Sequence, residues 1–324
     1  MRELTYSEAA LEAIAEEMRR DSTIFYLSTD ALPPLLQEFG DQRIRATPIA
    51  EAALTGMAIG AAGSGFRPIV DWRQVTFCFV AMDQIVNQAA KIHYMFGGQV
   101  TFPILYRASV GGGGQVAAQH SQSPYSMFMN VAGLKMFLPS TPHDMKGLLK
   151  TAIRDDNPVI SFESGRLMGR KGKVPDEDYA IPLGQADVKR EGKDVTVVAL
   201  AWLVHEALAA AEELDKEGVS VEIVDPRTLV PLDAATIRRS VQKTGRLVIA
   251  DEGGPTAGFS AEIAAVASED AATFARLQAP VKRVCALQVP IPYSPILERH
   301  VFPDRQRIIA GIRAVLDAKR PAAA

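Results

Sequence analysis

Glu51 stands in the most chemically suggestive stretch of the sequence. It follows Pro48-Ile49-Ala50 and opens a long Ala/Gly-rich run, Ala52–Ala62, in a segment otherwise short of charge. Two readings of such a carboxylate stand side by side: a helix N-terminal acid favoured by the macrodipole, or a partly buried acid able to hold or relay a proton. The second candidate is Gly111-Gly112-Gly113-Gly114 followed by Gln119-His120-Ser121-Gln122. Consecutive glycines cost chain entropy and suit backbone that turns sharply or approaches a ligand closely. A histidine held after such a loop titrates near neutrality and can serve as acid, base or anion donor; a structural histidine fits the same pattern. Phe77, Phe79 and Trp72 cluster ahead of a helical pattern. Aromatic residues there usually belong to the core, and one of them could form the flat wall of a pocket for a heteroaromatic ring. Asp155-Asp156-Asn157, ahead of Pro158, resembles an ordinary turn and could equally offer oxygens to a hard cation.

These residues need elements to hold them. Thr5-Tyr6-Ser7-Glu8 has the spacing of a capping box, and the apolar pattern through Arg20 predicts an amphipathic helix. A strand is expected at Ile24–Ser28, then an extended stretch at Arg43–Thr47 and a buried helix at Ala52–Ala62. Apolar runs at Pro68–Trp72, Thr101–Arg107, Leu134–Leu138 and Pro158–Phe162 alternate with helical patterns at Ala81–His93 and Pro142–Arg154. That alternation predicts a mostly parallel sheet with helices on its faces. Gly165 to about Lys193 is rich in Gly, Lys, Pro and Asp with little periodicity, so a domain boundary is expected there, dividing residues 1–185 from 186–324. Beyond it, strands at Val195–Leu200, Val219–Val224, Arg246–Ala250 and Val281–Ala286, with helices at Val204–Glu217, Asp233–Gln242 and Ser260–Glu269, describe a second, smaller doubly wound α/β domain. The only low-complexity tracts are Gly111–Gly114 and the Pro-Ala-Ala-Ala tail.

Composition narrows the partners. With 324 residues, 48% of them hydrophobic, and a net charge of -3, the chain is large enough for two cores. It carries no basic run of the kind nucleic acid or an anionic membrane attracts. No apolar segment approaches the roughly 20 residues that span a bilayer, and no charged-then-apolar leader follows Met1, so a cytoplasmic protein is expected. Cys78 and Cys285 lie far apart in apolar surroundings and are expected to be buried thiols, not a disulfide or a metal site.

The chain as a whole resembles the beta subunit of the thiamine-dependent decarboxylase component of 2-oxo acid dehydrogenase complexes. The likeness runs in order through Arg43–Glu51, Gly65–Val70, Met82–Lys91, Ala117–Ser123, Gly133–Lys135, Lys146–Leu149, Ile153–Val159 and Val224–Asp233. Within that family, Tyr94–Gln99 and Lys171–Pro175 are most similar to acetoin dehydrogenase beta subunits. The resemblance implies a thiamine-diphosphate (pyrimidine-binding) domain followed by a transketolase C-terminal-like domain. It implies that Glu51 meets N1′ of the aminopyrimidine, that Phe77 lies beside the pyrimidine, and that His120 faces the reacting carbon and assists acyl transfer to a lipoyl arm. It further implies a potassium site around Ala152, Ile153, Asp155 and Asn157.

Implied too is an incomplete active site. The family's other half grips magnesium and the diphosphate through a Gly-Asp-Gly motif, which this sequence lacks. An alpha subunit in an alpha2-beta2 heterotetramer would supply it, and a lipoyl-bearing acyltransferase would receive the acyl unit. The substrate implied is acetoin, pyruvate or a related 2-oxo acid. The alternative activity is that of a two-component transketolase-like or acyloin-forming enzyme, and the non-enzymatic one is an assembly subunit with a degenerate site. Departures from the family pattern fall at Ser28-Thr29-Asp30-Ala31, Trp72-Arg73-Gln74, Gly111–Gly114 and Asn130. They bear on substrate identity, and on whether Asp30 replaces an acidic-network glutamate.

Overall fold

The β-branched runs become two mostly parallel sheets in the structure, a computed structural model that describes residues 1–318. The Pro-Ala-Ala-Ala tail lies outside the described residues. Fourteen strands follow the chain: β1 (Arg2–Thr5), β2 (Ile24–Ser28), β3 (Ile44–Ala46), β4 (Arg67–Gln74), β5 (Leu105–Val110), β6 (Lys135–Phe137), β7 (Val159–Ser164), β8 (Lys171–Val174), β9 (Asp187–Arg190), β10 (Val195–Ala199), β11 (Val221–Asp225), β12 (Thr228–Val230), β13 (Leu247–Asp251) and β14 (Lys282–Cys285). The chain forms two compact units. One comprises Met1–Val110, Met127–Leu183 and Leu229–Pro231; the other comprises Gly111–Ser126, Gly184–Thr228 and the described residues from Leu232 to 318.

The first unit is built on a seven-stranded sheet in the order β12-β6-β7-β5-β4-β2-β3. Tyr26 of β2 lies opposite Ile44 on one side and Ile69 on the other, both pairings parallel. Strands of this kind are covered on both faces, which is why they read as continuous apolar runs. Thr5 caps the Tyr6–Arg20 helix and Glu8 returns the contact, completing the expected capping box. That helix packs on the Pro142–Arg154 helix, whose Lys146 and Lys150 are each only 1% exposed. Both ammonium groups end on Glu16, with Glu12 and Asp178 completing the lattice.

The Glu51–Gly63 helix buries Leu54, Thr55, Ala58, Ile59 and Ala62, yet Ala53, Met57, Gly60 and Gly63 on its outer face are exposed. It is apolar on every side, a pattern of helices enclosed by neighbours. The stretch expected as one helix, Ala81–His93, is wound differently. It contains the end of a 3-10 turn (Val75–Ala81), a π-helical turn (Gln84–Ala89) and the start of a short α-helix (Ile92–Met95). The Ala90 amide reaches back five residues to the Ile85 carbonyl at 3.1 Å. Its end is pinned from outside: the Ala90 carbonyl lies against Gly133, where a Cβ would come within 2.0 Å of it, and Lys91 donates to the Ala132 carbonyl. Apolar periodicity along 81–93 contains no trace of that contact.

The second unit has a five-stranded sheet, β14-β13-β10-β11-β9, parallel except that β9 runs antiparallel to β11. Val195, Val197, Ile223, Val248 and Ala250 meet Leu203, Ala207, Ala211 and Leu214 of the Trp202–Asp215 helix in one core. Asp233 caps the Ala234–Thr244 helix through the Thr236 amide at 3.0 Å. The closing helix, Arg305–Asp317, went unpredicted, although Ile308, Ile312 and Val315 line its buried face at helical spacing.

Candidate active site

In the first unit the chemistry gathers at the carboxyl ends of the strands. Glu51 is the first residue of its helix and only 8% exposed, after an Ala50 that provides no side-chain cap. Among the described residues its carboxylate has no hydrogen-bond or ion-pair partner. The 3-10 turn brings the half-buried Phe77 and the buried Cys78 to the same helix. Burial pushes the Cys78 thiol up to about 12, and the negative charge of Glu51 adds to the rise. Glu51 and the Phe77-Cys78 segment are thus brought together, and Cys78 is an inert thiol in keeping with expectation. An unpartnered carboxyl at the start of a helix that packs on the turn carrying a half-buried aromatic ring suits the edge of a flat, nitrogen-bearing ligand.

Trp72 is a core residue and no pocket wall. It is 1% exposed, stacks on Tyr106 at 4.6 Å and 12°, and donates its indole N–H to Thr55 Oγ1 at 3.0 Å. Thr55 lies one turn beyond Glu51, so Trp72 fixes the start of that helix against β5. Directly after it the β4–β5 register shifts, and Arg73 adopts φ 64° with its amide donating to Asp71 at 2.7 Å. The shift aims the Arg73 guanidinium at Asp30, 3.2 Å away.

Sequence reasoning missed the buried charges beside this bulge. Arg107 clamps Glu163 through two hydrogen bonds of 2.7 and 2.9 Å, and also donates to the Tyr26 hydroxyl at 3.1 Å. Tyr26 in turn donates to Asp71 at 2.5 Å. Burial alone would pull the Arg107 guanidinium down, but the charges of Glu163 and Asp71 and the hydrogen bonds to Glu163 hold it well above its ordinary value. Burial and the Asp71 charge push the Tyr26 hydroxyl up. Asp71, Arg73, Arg107 and Glu163 line a cavity of about 330 Å³. Its strand residues come from β4, β5 and β7. The available signal was charge inside apolar strand runs, Asp71 in β4 and Arg107 in β5.

The turn at 155–157 is a charged knot. Asp155 accepts from Lys135 at 2.5 Å and from the Asn157 side chain at 2.9 Å. Arg67 donates to the carbonyls of Ile153 at 3.0 Å and Asp155 at 2.7 Å, and to the Asp156 carboxylate at 3.0 Å. Among the described residues no cluster of three or more His, Cys, Asp or Glu is arranged to hold a metal ion.

His120 belongs to the second unit. It is half-buried and ends a single helical turn, Ala117–His120, entered through Gln115 and Ala117 at φ 55° and 63°. The Gly111 amide donates to the Gln122 carbonyl at 3.1 Å and closes the loop that carries it. Two of the four glycines are required where they stand: Gly111 has φ 83° and a Cβ on it would come within 2.1 Å of a Glu252 oxygen, and one on Gly112 would come within 2.1 Å of the Phe302 ring. Beyond His120, the Tyr125 hydroxyl donates to the buried Asp251 carboxylate, which also accepts from the amides of Gly253 at 2.8 Å and Ser260 at 3.1 Å. Burial nevertheless leaves the Asp251 carboxyl above its ordinary value.

Residues 2–170 match the transketolase pyrimidine-binding domain and residues 184–308 the transketolase C-terminal domain. The chain is 43% identical to the beta subunit of acetoin:2,6-dichlorophenolindophenol oxidoreductase of Cupriavidus necator, over 97% of this chain and 98% of that one. The chain belongs to this family of dehydrogenase beta subunits. It is also 41% identical to the 2-oxoisovalerate dehydrogenase beta subunit of Bacillus subtilis, covering 97% of this chain and 99% of the relative. The pyruvate dehydrogenase E1 beta subunit of Rhizobium meliloti is 41% identical, over 97% of this chain and 70% of that protein. Among solved structures, a split-gene transketolase described as an inactive beta4 tetramer superposes with a TM-score of 0.81 at 25% identity, covering 98% and 99% of the two chains. As a transketolase-type beta subunit, the chain has the two α/β domains that its sequence implied.

Proposed function

We propose that this chain is the beta subunit of an alpha2-beta2, thiamine-diphosphate-dependent dehydrogenase component that cleaves acetoin or decarboxylates pyruvate or a related 2-oxo acid. The acyl unit passes to lipoamide of a partner acyltransferase in the cytoplasm. The observation that carries this reading is Glu51, the 8% exposed first residue of its helix, whose carboxyl has no partner among the described residues and which is packed on by the turn that carries Phe77. Thiamine diphosphate, when bound, supplies a stabilised carbanion that the twenty side chains cannot. With that cofactor bound, Glu51 would hold a proton at pyrimidine N1′ and Phe77 would lie beside that ring. His120 orients and protonates at the acyl-transfer end. Magnesium and the diphosphate fall to the alpha chain, in keeping with a sequence that has no Gly-Asp-Gly.

The names of the relatives support a beta-type role, and the split-gene transketolase whose beta chains form an inactive tetramer supports the need for a second chain. Potassium at Ala152, Ile153, Asp155 and Asn157 would share that turn with Arg67, which already donates to two of its carbonyls. The same structural likeness favours a second reading, transfer of the activated aldehyde to a carbonyl acceptor. The test is reconstitution with the alpha chain and a screen of acetoin, pyruvate and branched 2-oxo acids. Reduction of 2,6-dichlorophenolindophenol supports the dehydrogenase. Product formed only when an aldehyde acceptor is added supports the second reading. Glu51→Gln should lower turnover by at least ~100-fold, the scale of a lost proton-transfer group; retention of activity would refute the role of Glu51.

A further inference from the structure

The segment that carries His120 interrupts the first unit in sequence but packs with the second, and it is tied down on both sides of the histidine. Ahead of it, the Gly113 amide donates to Glu298 Oε1 at 2.8 Å, and Gly112 lies against the Phe302 ring, with no room for a Cβ. Behind it, Tyr125 donates to Asp251 and accepts from the Gly253 amide at 3.0 Å. Glu298 is 2% exposed and Asp251 and Tyr125 are at most 1% exposed. Buried carboxylates are costly to desolvate and persist where hydrogen bonds satisfy them. Here both spend hydrogen-bonding capacity on one short loop, outside the regular hydrogen bonding of strands and helices.

We propose that Glu298 and the Tyr125–Asp251 pair form a two-point clamp that sets the position of His120, making all three positioning residues for acyl transfer to the lipoyl partner. Neither end suffices by itself. The loop between them passes through two left-handed non-glycine residues, Gln115 and Ala117, and eight residues separate Gly111 from His120 with no strand to guide them. Such a stretch holds a side chain to catalytic tolerance only when its ends are fixed.

The inference rests on the His120 reading above, and the experiment separates the two. Holoenzyme reconstituted with its alpha chain is assayed for dye reduction and for acyl transfer to a lipoyl domain, in parallel with amide exchange of the 111–126 segment. Tyr125→Phe and Glu298→Ala should each lower the lipoyl transfer rate about 10-fold or more, the scale of a misplaced group. Dye reduction should stay within about 2-fold and segment exchange should accelerate. Glu298→Gln, which keeps an acceptor for the Gly113 amide, should restore lipoyl transfer. Unchanged exchange in both clamp variants overturns the clamp. Equal loss of dye reduction and lipoyl transfer, with no recovery in Glu298→Gln, overturns the positioning role. His120→Gln is the separate control: if it transfers acyl groups normally while the clamp variants speed exchange, the role given to His120 fails and the clamp stands as a purely mechanical one, which overturns its link to catalysis.

Discussion

Arg107 is the residue whose removal the first unit should tolerate least. Among the described residues its guanidinium is the one cation in contact with both Glu163 and the Tyr26–Asp71 pair, and all four side chains are buried. A buried ion pair adds little over a well-packed apolar alternative, but breaking it from one side strands a charge. Arg107→Met should therefore cost about 3–5 kcal/mol in urea unfolding, whereas Glu163→Gln, which keeps a hydrogen-bonding partner, should cost less. Equal and small losses in both would mean the network contributes no stability. At this scale the sequence was readable where a residue type is scarce in its setting. Glu51 in an uncharged run and the glycines before His120 could be singled out, and so could the inert cysteines. Arg107, Asp71 and Glu163 were not, because each partner is distant in sequence and only the parallel pairing of β4, β5 and β7 brings them together.

At the scale of elements, the central strands followed from the β-branched runs, and the starts of the Tyr6–Arg20 and Ala234–Thr244 helices from residues that cap them, since both signals are local. Thr5 and Asp233 fix their helices through contacts only three residues long. Most of what escaped was set from outside the element: the π-helical turn ahead of Gly133, and the loop at 111–126, which lies between strands of one unit and packs in the other; the Arg305–Asp317 helix is the exception, since its apolar spacing and Asp304 cap are local. The pairing of the Tyr6–Arg20 and Pro142–Arg154 helices is a further long-range device, and it has a pH signature. Lys150 holds Asp178 below the usual carboxylate range through a hydrogen bond; for Glu16, burial works upward, but Lys146 and Lys150 prevail and lower it. Carboxyls depressed in the folded state add stability above their unfolded values near ~4 and lose it as pH falls through the folded ones. The thermal midpoint should therefore drop below about pH 5. Lys150→Met should lower it most at neutral pH, with the gap to wild type closing as the solution becomes acidic. A gap that widens on acidification would contradict the lattice.

At the scale of the molecule, the strongest sign of a missing partner is the outer face of the Glu51–Gly63 helix. Ala53, Met57, Gly60 and Gly63 leave an uncharged strip on the element that begins with the proposed proton-holding acid. Small residues on a helix permit close approach of another, and an uncharged exposed face is costly to leave in water. A Cβ added at Gly60 would meet nothing within 4 Å, so the isolated chain has room for a side chain there. Gly60→Leu should thus leave the melting temperature of the beta chain alone within a few degrees, since leucine also favours the helix. The same leucine should stand between the helix and any chain seated on it. Assembly with the alpha chain, followed by size-exclusion chromatography with light scattering, should fall from a heterotetramer to smaller species. Met57→Glu, which is 46% exposed and puts a charge on the same strip, should act in the same direction. Loss of assembly with intact folding would place the activating contact on the helix that carries Glu51, so that binding the partner and fixing the acid become one event. Full assembly and activity in both variants would move the interface elsewhere and leave Glu51 to be fixed by Trp72 and Thr55 alone.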